Sequence, residues 1–127
     1  MTNALTRTLR HFANRRLLNA YLPGLVVERL SDQQQDAMFM TVHAAGSDVG
    51  ATKTRAVADG TAWCLTGDKW FCSNTDADLA LVLARPEEAQ LGTRGLSLFL
   101  MPRALPDGTP NAYRIVRLKE KLGTRSM

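Results

Sequence analysis

The chain has two cysteines, two histidines and two tryptophans in 127 residues. Cys64 and Cys72 form no CxxC pair, and His11 and His43 lie far apart without ligand-like spacing. No metal site and no disulfide-dense scaffold are expected. Long apolar runs are also missing. The longest, Leu79 to Ala84, has six residues, whereas a membrane span needs about 20. No internal repeat or low-complexity stretch occurs. The first 20 residues lack acidic groups and hold Arg7, Arg10, Arg15 and Arg16 without the apolar stretch of a signal peptide. A cytoplasmic location is expected. The Arg-rich start leaves a mitochondrial presequence as the alternative.

What is present is ordinary for a globular chain: 45% hydrophobic and 22% charged residues. At roughly 100–200 residues per domain the length allows one domain at most. The net charge of +4 is unevenly placed. Residues 1–30 carry five Arg against one Glu, residues 31–102 five basic against nine acidic groups, and residues 103–127 six basic against two acidic groups. Basic ends fit a solvated surface facing an acidic neighbour, or a nucleic acid or anionic cofactor. No basic run with interleaved aromatics of the base-stacking kind occurs.

The pattern predicts a helix over 3–21, where Leu5, Leu9, Phe12, Leu17 and Ala20 fall on one stripe, stopped by Pro23-Gly24. Residues 25–30 could add a helical turn, and 31–36 read as a linker. Beyond residue 37 the signal becomes strand-like. Strands are expected at 37–42, 52–58, 62–66, 69–73, 77–85, 96–101 and 112–119, separated by turns. This predicts a mainly β fold, an incomplete antiparallel barrel or sandwich of about seven strands with an N-terminal helix.

Gly67-Asp68 reads as a two-residue hairpin loop. It would pair Thr66 with Lys69, Leu65 with Trp70 and Cys64 with Phe71. Phe71 and Ser73 would then share one face, with Trp70 and Cys72 on the other. Cys64 and Cys72 would be on different faces, so no disulfide is expected between them.

Two segments carry candidate chemistry. In Met40-Thr41-Val42-His43-Ala44-Ala45-Gly46-Ser47-Asp48 a strand runs into a small-residue loop. Such a loop lets backbone N–H groups approach an anion, and Ser47 adds a hydroxyl. In Gly67-Asp68-Lys69-Trp70-Phe71-Cys72-Ser73-Asn74, the Phe71 ring beside the Ser73 hydroxyl suits a flat heteroaromatic ligand. Each segment alone also reads as a plain turn or a core strand.

In order along the chain, these segments are followed by Asp78–Arg85 and by Gly95-Leu96-Ser97-Leu98-Phe99-Leu100-Met101-Pro102-Arg103. The set resembles the middle β-domain of the acyl-CoA dehydrogenase family. Leu105-Pro106-Asp107-Gly108 and Arg117-Leu118-Lys119-Glu120-Lys121-Leu122-Gly123-Thr124-Arg125-Ser126 look most like its AidB-like subgroup. The resemblance implies an FAD-dependent enzyme that oxidises an acyl-CoA thioester to the 2,3-enoyl-CoA. In such an enzyme a base takes the α-proton and hydride passes to flavin N5.

Carried over, Met38, Phe39, Met40, Thr41, Gly46 and Ser47 would line the flavin and pyrophosphate, with Ser47 also reaching the acyl-CoA. Phe71, Cys72 and Ser73 would lie against the flavin ring. The family usually has Thr-Glu where this chain has Thr41-Val42.

The resemblance also implies that residues 1–30 are the last helix of a helical domain and that 31–127 are a middle domain cut short at its C-terminus. The catalytic base would lie outside the chain, leaving it inactive alone with no catalytic residue of its own. The parent would be a homo-oligomer, a tetramer, built through an absent domain that would also carry any DNA contact. The competing expectation is a non-enzymatic β-barrel module that binds a protein or nucleic acid through its basic ends.

Overall fold

The computed structural model describes residues 2–43 and 46–118. Two helices lead into five strands: α1 (Thr2–Phe12), α2 (Arg15–Leu25), β1 (Asp36–Phe39), β2 (Arg55–Asp59), β3 (Ala62–Thr66), β4 (Leu79–Pro86) and β5 (Ser97–Pro102). Short 3-10 turns lie at Leu30–Asp32, Val49–Ala51 and Thr93–Gly95.

The single expected helix is two. Asn14 leaves helical geometry at φ −72° and ψ 167°, and its side-chain oxygen accepts from the N–H of Leu17 (3.0 Å). An Asn cap of this kind starts a new helix and ends the old one's register. Pro23-Gly24 does not stop α2, which runs on to Leu25. Proline fixes φ near a helical value and removes one N–H. So close to the C-terminal end that removes a single ladder bond, and burial of Leu25 offsets it. The turn expected within 25–30 falls instead at Leu30–Asp32.

β4 reads Leu-Ala-Leu-Val-Leu-Ala-Arg-Pro, and four of its first four residues are buried. A strand so apolar on both sides belongs in the middle of a covered sheet. It does lie there. β1 pairs parallel with its first half, from Asp36↔Leu79 to Phe39↔Val82. β2 pairs parallel with its end, at Arg55↔Arg85 and Ala56↔Pro86. β5 runs antiparallel along its other edge, from Leu79↔Pro102 to Ala84↔Ser97. The architecture is an open, mixed five-stranded sheet. The expectation of seven antiparallel strands in a barrel or sandwich is corrected on both counts: strand number and direction.

Two expected strands are absent. Residues 69–73 form a loop in which Phe71 (φ 55°) and Asn74 (φ 54°) take the left-handed conformation, which a ladder does not accommodate. Residues 112–118 form no strand, and Lys119 lies outside the described residues. The hairpin is also misplaced. β3 pairs with β2 through Asp59↔Ala62, so the two-residue loop is Gly60-Thr61 and not Gly67-Asp68. Gly60 has φ +58° at the first loop position, where a strand-matching turn favours glycine. Gly67 serves a different need. At φ +142° its Cα lies so close to Thr54 that a Cβ would come within 2.8 Å of Thr54 Cα.

The sheet separates two apolar clusters. On one face Leu79 and Leu81 pack with Leu5, Leu9 and Leu25 of the helices. On the other, Ala80 and Val82 pack with Ala37, Phe39 and Ala77, joined by Leu65, Cys72 and Met101. At the far end of β4 the Arg85 guanidinium donates to the carbonyls of Gly50 (2.6 Å), Gly92 (3.1 Å) and Gln90. It ties the loops before β2 and before β5 to the strand end. Among the described residues no helix is long and apolar enough to cross a membrane, and no group of His, Cys, Asp or Glu could hold a metal.

Candidate functional site

The two candidate segments meet at the end of β1. The N–H of Trp70 donates to the carbonyl of Thr41 (2.8 Å). One residue earlier on each segment, Lys69 Nζ donates to the carbonyl of Met40 (3.1 Å) and also to that of Leu83 in β4 (2.5 Å). One residue further along from Thr41-Val42, the His43 ring stands edge-on to Trp70, with centroids 4.8 Å apart and planes at 86°. The indole also carries the Arg117 guanidinium 4.9 Å from its centroid, a cation–π distance. Trp70 is thus the centre of a stack drawn from three parts of the chain, and Phe71 meets its edge at 5.7 Å.

The loop is anchored from below as well. Asn74 Nδ2 donates to the carbonyl of Asp36 (3.2 Å), and Thr54 Oγ1 to that of Asp68 (3.3 Å). These bonds run from side chains or amides to backbone carbonyls. They hold the loop's path through backbone carbonyls.

Phe71 is 64% exposed and Ser73 is exposed, while Trp70 and Cys72 are half-buried. The alternation expected from a strand is present although the strand is not. A left-handed backbone at an exposed aromatic costs energy, on the order of 1–2 kcal/mol for an L-residue. Such strain clusters at active sites and ligand clamps.

The remaining predicted residues divide. Phe39, 7% exposed, lies inside the second apolar cluster, and Cys72 packs against that cluster. Met38 pairs with Leu81 in the ladder, placing it on the helix-covered face of β1, and it and Met40 are partly exposed. Thr41 is half-buried at the joint with Trp70. Gly46 and Ser47 are exposed just before the Asp48 turn, in which Asp48 Oδ1 accepts from the N–H of Gly50 (3.0 Å). Ala44 and Ala45 lie outside the described residues. Both cysteines are free thiols. Burial pushes the Cys72 thiol pKa up, against the pull of nearby Lys69. Burial lowers Lys69 to about 8, with Cys72 opposing.

The reading from sequence gave Lys69, Trp70 and Arg117 no role. A lysine directly preceding the aromatic pair Trp70-Phe71 is the available signal for Lys69. Arg117, 47 residues beyond Trp70, offered none.

An exposed ring, an exposed hydroxyl and an exposed small-residue loop suit a flat, neutral heteroaromatic ligand with an anionic tail. Of the nearby carboxylates, Asp48 caps its own turn and Asp78 Oδ2 accepts from the N–H of Gln35 (2.8 Å), while Asp68 and Asp76 are exposed.

The profile of the family described as acyl-CoA dehydrogenase, middle domain, matches residues 37–127. Over 91 residues the chain is 48% identical to AidB of Escherichia coli, covering 70% of this chain and 16% of AidB. Over 95 residues it is 46% identical to acyl-CoA dehydrogenase family member 11 of Caenorhabditis elegans, covering 70% of this chain and 15% of that protein. The crystal structure of Caenorhabditis elegans ACDH-11 in complex with C11-CoA superposes with a TM-score of 0.81 at 35% identity, over 98% of this chain and 22% of that one. The chain therefore spans 15–16% of the length of these two curated relatives.

Proposed function

The chain belongs to the acyl-CoA dehydrogenase family, and from that premise we propose that it forms the FAD-facing part of an enzyme that dehydrogenates an acyl-CoA thioester between Cα and Cβ. The observation that carries the reading is the Trp70–Thr41 backbone bond of 2.8 Å, which sets both segments side by side while Phe71 and Ser73 stay exposed. FAD, when bound, supplies the hydride acceptor.

This chain's residues would hold and orient it. Phe71 packs against the flat ring, and Ser73 donates its hydroxyl to a ring-edge acceptor. Thr41 contacts the ring from the end of β1. Gly46 and Ser47 offer backbone N–H groups and a hydroxyl to the pyrophosphate, with Ser47 also reaching the thioester side. Met40 borders the site at the end of β1, whereas Met38 lies on the opposite, helix-covered face of the strand. Phe39 and Cys72 contribute from beneath, as the apolar floor on which the loop rests.

In the same reading, residues 1–30 belong to a preceding helical domain and 31–127 to the middle domain. The proton-abstracting base and the acyl-chain pocket come from other parts of the enzyme. The whole enzyme is a cytoplasmic homo-oligomer, a tetramer, and any DNA contact is made outside this stretch. Val42 in place of the family's usual Glu removes a negative charge beside the anion-facing loop, which favours the pyrophosphate electrostatically.

FAD fluorescence titrated with the chain tests this reading. Quenching at micromolar protein, weakened by Phe71→Ala and by Ser73→Ala, is the expected result. Equal titration curves for the chain and both variants would sink the assignment of these residues.

A further inference from the structure

We infer that Lys69 is a positioning residue, whose side chain ties the Met40 carbonyl at the end of β1 to the Leu83 carbonyl of β4 and thereby holds the Trp70–Thr41 joint between the two site segments. What those segments bind rests on the function proposed above; the tie itself does not.

The geometry is specific. Lys69 leaves its own loop, crosses to β1 at 3.1 Å and reaches β4 at 2.5 Å, so one amino group bridges three elements. β1 ends at Phe39, so the Met40 and Thr41 carbonyls lie just past the ladder. Lys69 and Trp70, adjacent in sequence, donate to these two adjacent carbonyls and replace the missing ladder bonds.

Among the charged and titratable groups around the tie, Asp68 directly precedes Lys69 and is exposed. Cys72 lies on the same loop. On β4, Arg85 is engaged with the Gly50, Gln90 and Gly92 carbonyls. β1 presents only backbone at this end, its carboxylate Asp36 being at the opposite end of the strand. His43 and Arg117 meet the Trp70 ring.

A lysine amino group has three N–H bonds when charged and two when neutral. Two carbonyls accept here. The neutral amine therefore still satisfies both, and the tie depends on the donors and not on the charge. This separates Lys69 from a residue that acts as a local positive field.

Amide hydrogen exchange of the full chain, read by NMR as protection factors, tests the inference. Lys69→Met removes the donors and keeps the apolar stem. It is expected to lower protection of the Trp70 amide about tenfold while the β4–β5 ladder amides keep theirs. Lys69→Arg, which retains donors, restores protection at Trp70. In the unsubstituted chain, Trp70 protection stays level from about pH 7 to about pH 9.5, across the range in which Lys69 loses its charge.

Unchanged Trp70 protection in Lys69→Met would overturn the inference. So would a uniform drop over the whole sheet, which would mark Lys69 as merely structural. Loss of Trp70 protection above pH 8 in the unsubstituted chain overturns it without any variant. FAD quenching measured alongside keeps the two readings apart. If the unsubstituted chain quenches no FAD, the ligand assignment fails while the exchange data still decide the tie.

Discussion

On one face of β4, Leu79 and Leu81 meet Leu5, Leu9 and Leu25, so a cluster of five leucines joins strand to helix. On the other face the corresponding cluster is Ala37, Ala77, Ala80, Val82 and Phe39, and a loop closes over it. The first face is held by burial of large side chains from regular elements, worth about 1.5–3 kcal/mol for each fully buried leucine. The second buries less apolar volume and compensates with hydrogen bonds to backbone carbonyls from Lys69, Trp70, Thr54 and Asn74. Small residues beneath the loop mean that its path is held by hydrogen bonds to backbone carbonyls more than by burial of large side chains. The candidate site is on that side, and the difference explains why a strained Phe71 is tolerated there.

The contrast can be broken most forcefully on the leucine face. Leu79→Ala leaves a cavity under both helices and is expected to cost about 2–5 kcal/mol in urea unfolding. A cost below 1 kcal/mol would mean that the helices do not depend on this packing. On the loop face the matching probe is Gly67→Ala, which combines a disfavoured φ with a backbone clash at Thr54. Its expected cost is about 1–3 kcal/mol, with FAD quenching lost more steeply than stability.

Asn14→Ala removes the cap of α2 and should lower stability by about 1 kcal/mol without altering FAD quenching, because it acts on the helix side alone. Phe71→Gly relieves the left-handed strain and is expected to raise the unfolding free energy by up to about 1 kcal/mol while weakening the quench. A gain in stability with loss of binding is the sign of a residue placed for a ligand.

The last expected effect is a pH dependence. Lys69 titrates at about 8 in the folded chain and near its ordinary, higher value when unfolded. Between those values the unfolded chain binds more protons, so stability rises with pH across that window. Below about 8 the cost of holding a half-buried ammonium is fully present. The difference in urea stability between the unsubstituted chain and Lys69→Met should therefore shift in favour of the former as pH rises from 8 toward 10.5. A flat difference would contradict the burial-driven shift.

Local pattern made five of the expected strands legible, because each is a short apolar run bounded by turn residues. Ala62–Thr66 was placed to the residue. Partner and direction were not legible. Whether β1 runs parallel to β4 is decided by chain separated by about 40 residues, and the apolar stretch of β4 fits parallel and antiparallel neighbours alike. The hairpin was misplaced because Gly60-Thr61 and Gly67-Asp68 both carry turn chemistry, and only packing against Thr54 shows what Gly67 is for. The helix boundary at Asn14 was hidden by a leucine stripe that continues across it.

At the candidate site, the exposed members Phe71, Ser73 and Ser47 were readable as motif residues. The joint that brings the segments together was not. Its acceptors are the carbonyls of Met40, Thr41 and Leu83, which every residue type possesses and no sequence advertises.

Arg85 carries a related consequence. Its guanidinium grips Gly50, Gln90 and Gly92 by their carbonyl oxygens alone, so it reads where those loops pass and ignores what they are made of. An insertion or deletion in residues 46–51 or 90–92 would therefore pull a carbonyl out of reach, whereas a side-chain change there spares the anchor except at Gly92, held at φ +80°, and at the tightly packed Gly50. The clamp thus fixes the length of these loops and, apart from the two glycines, not their side chains.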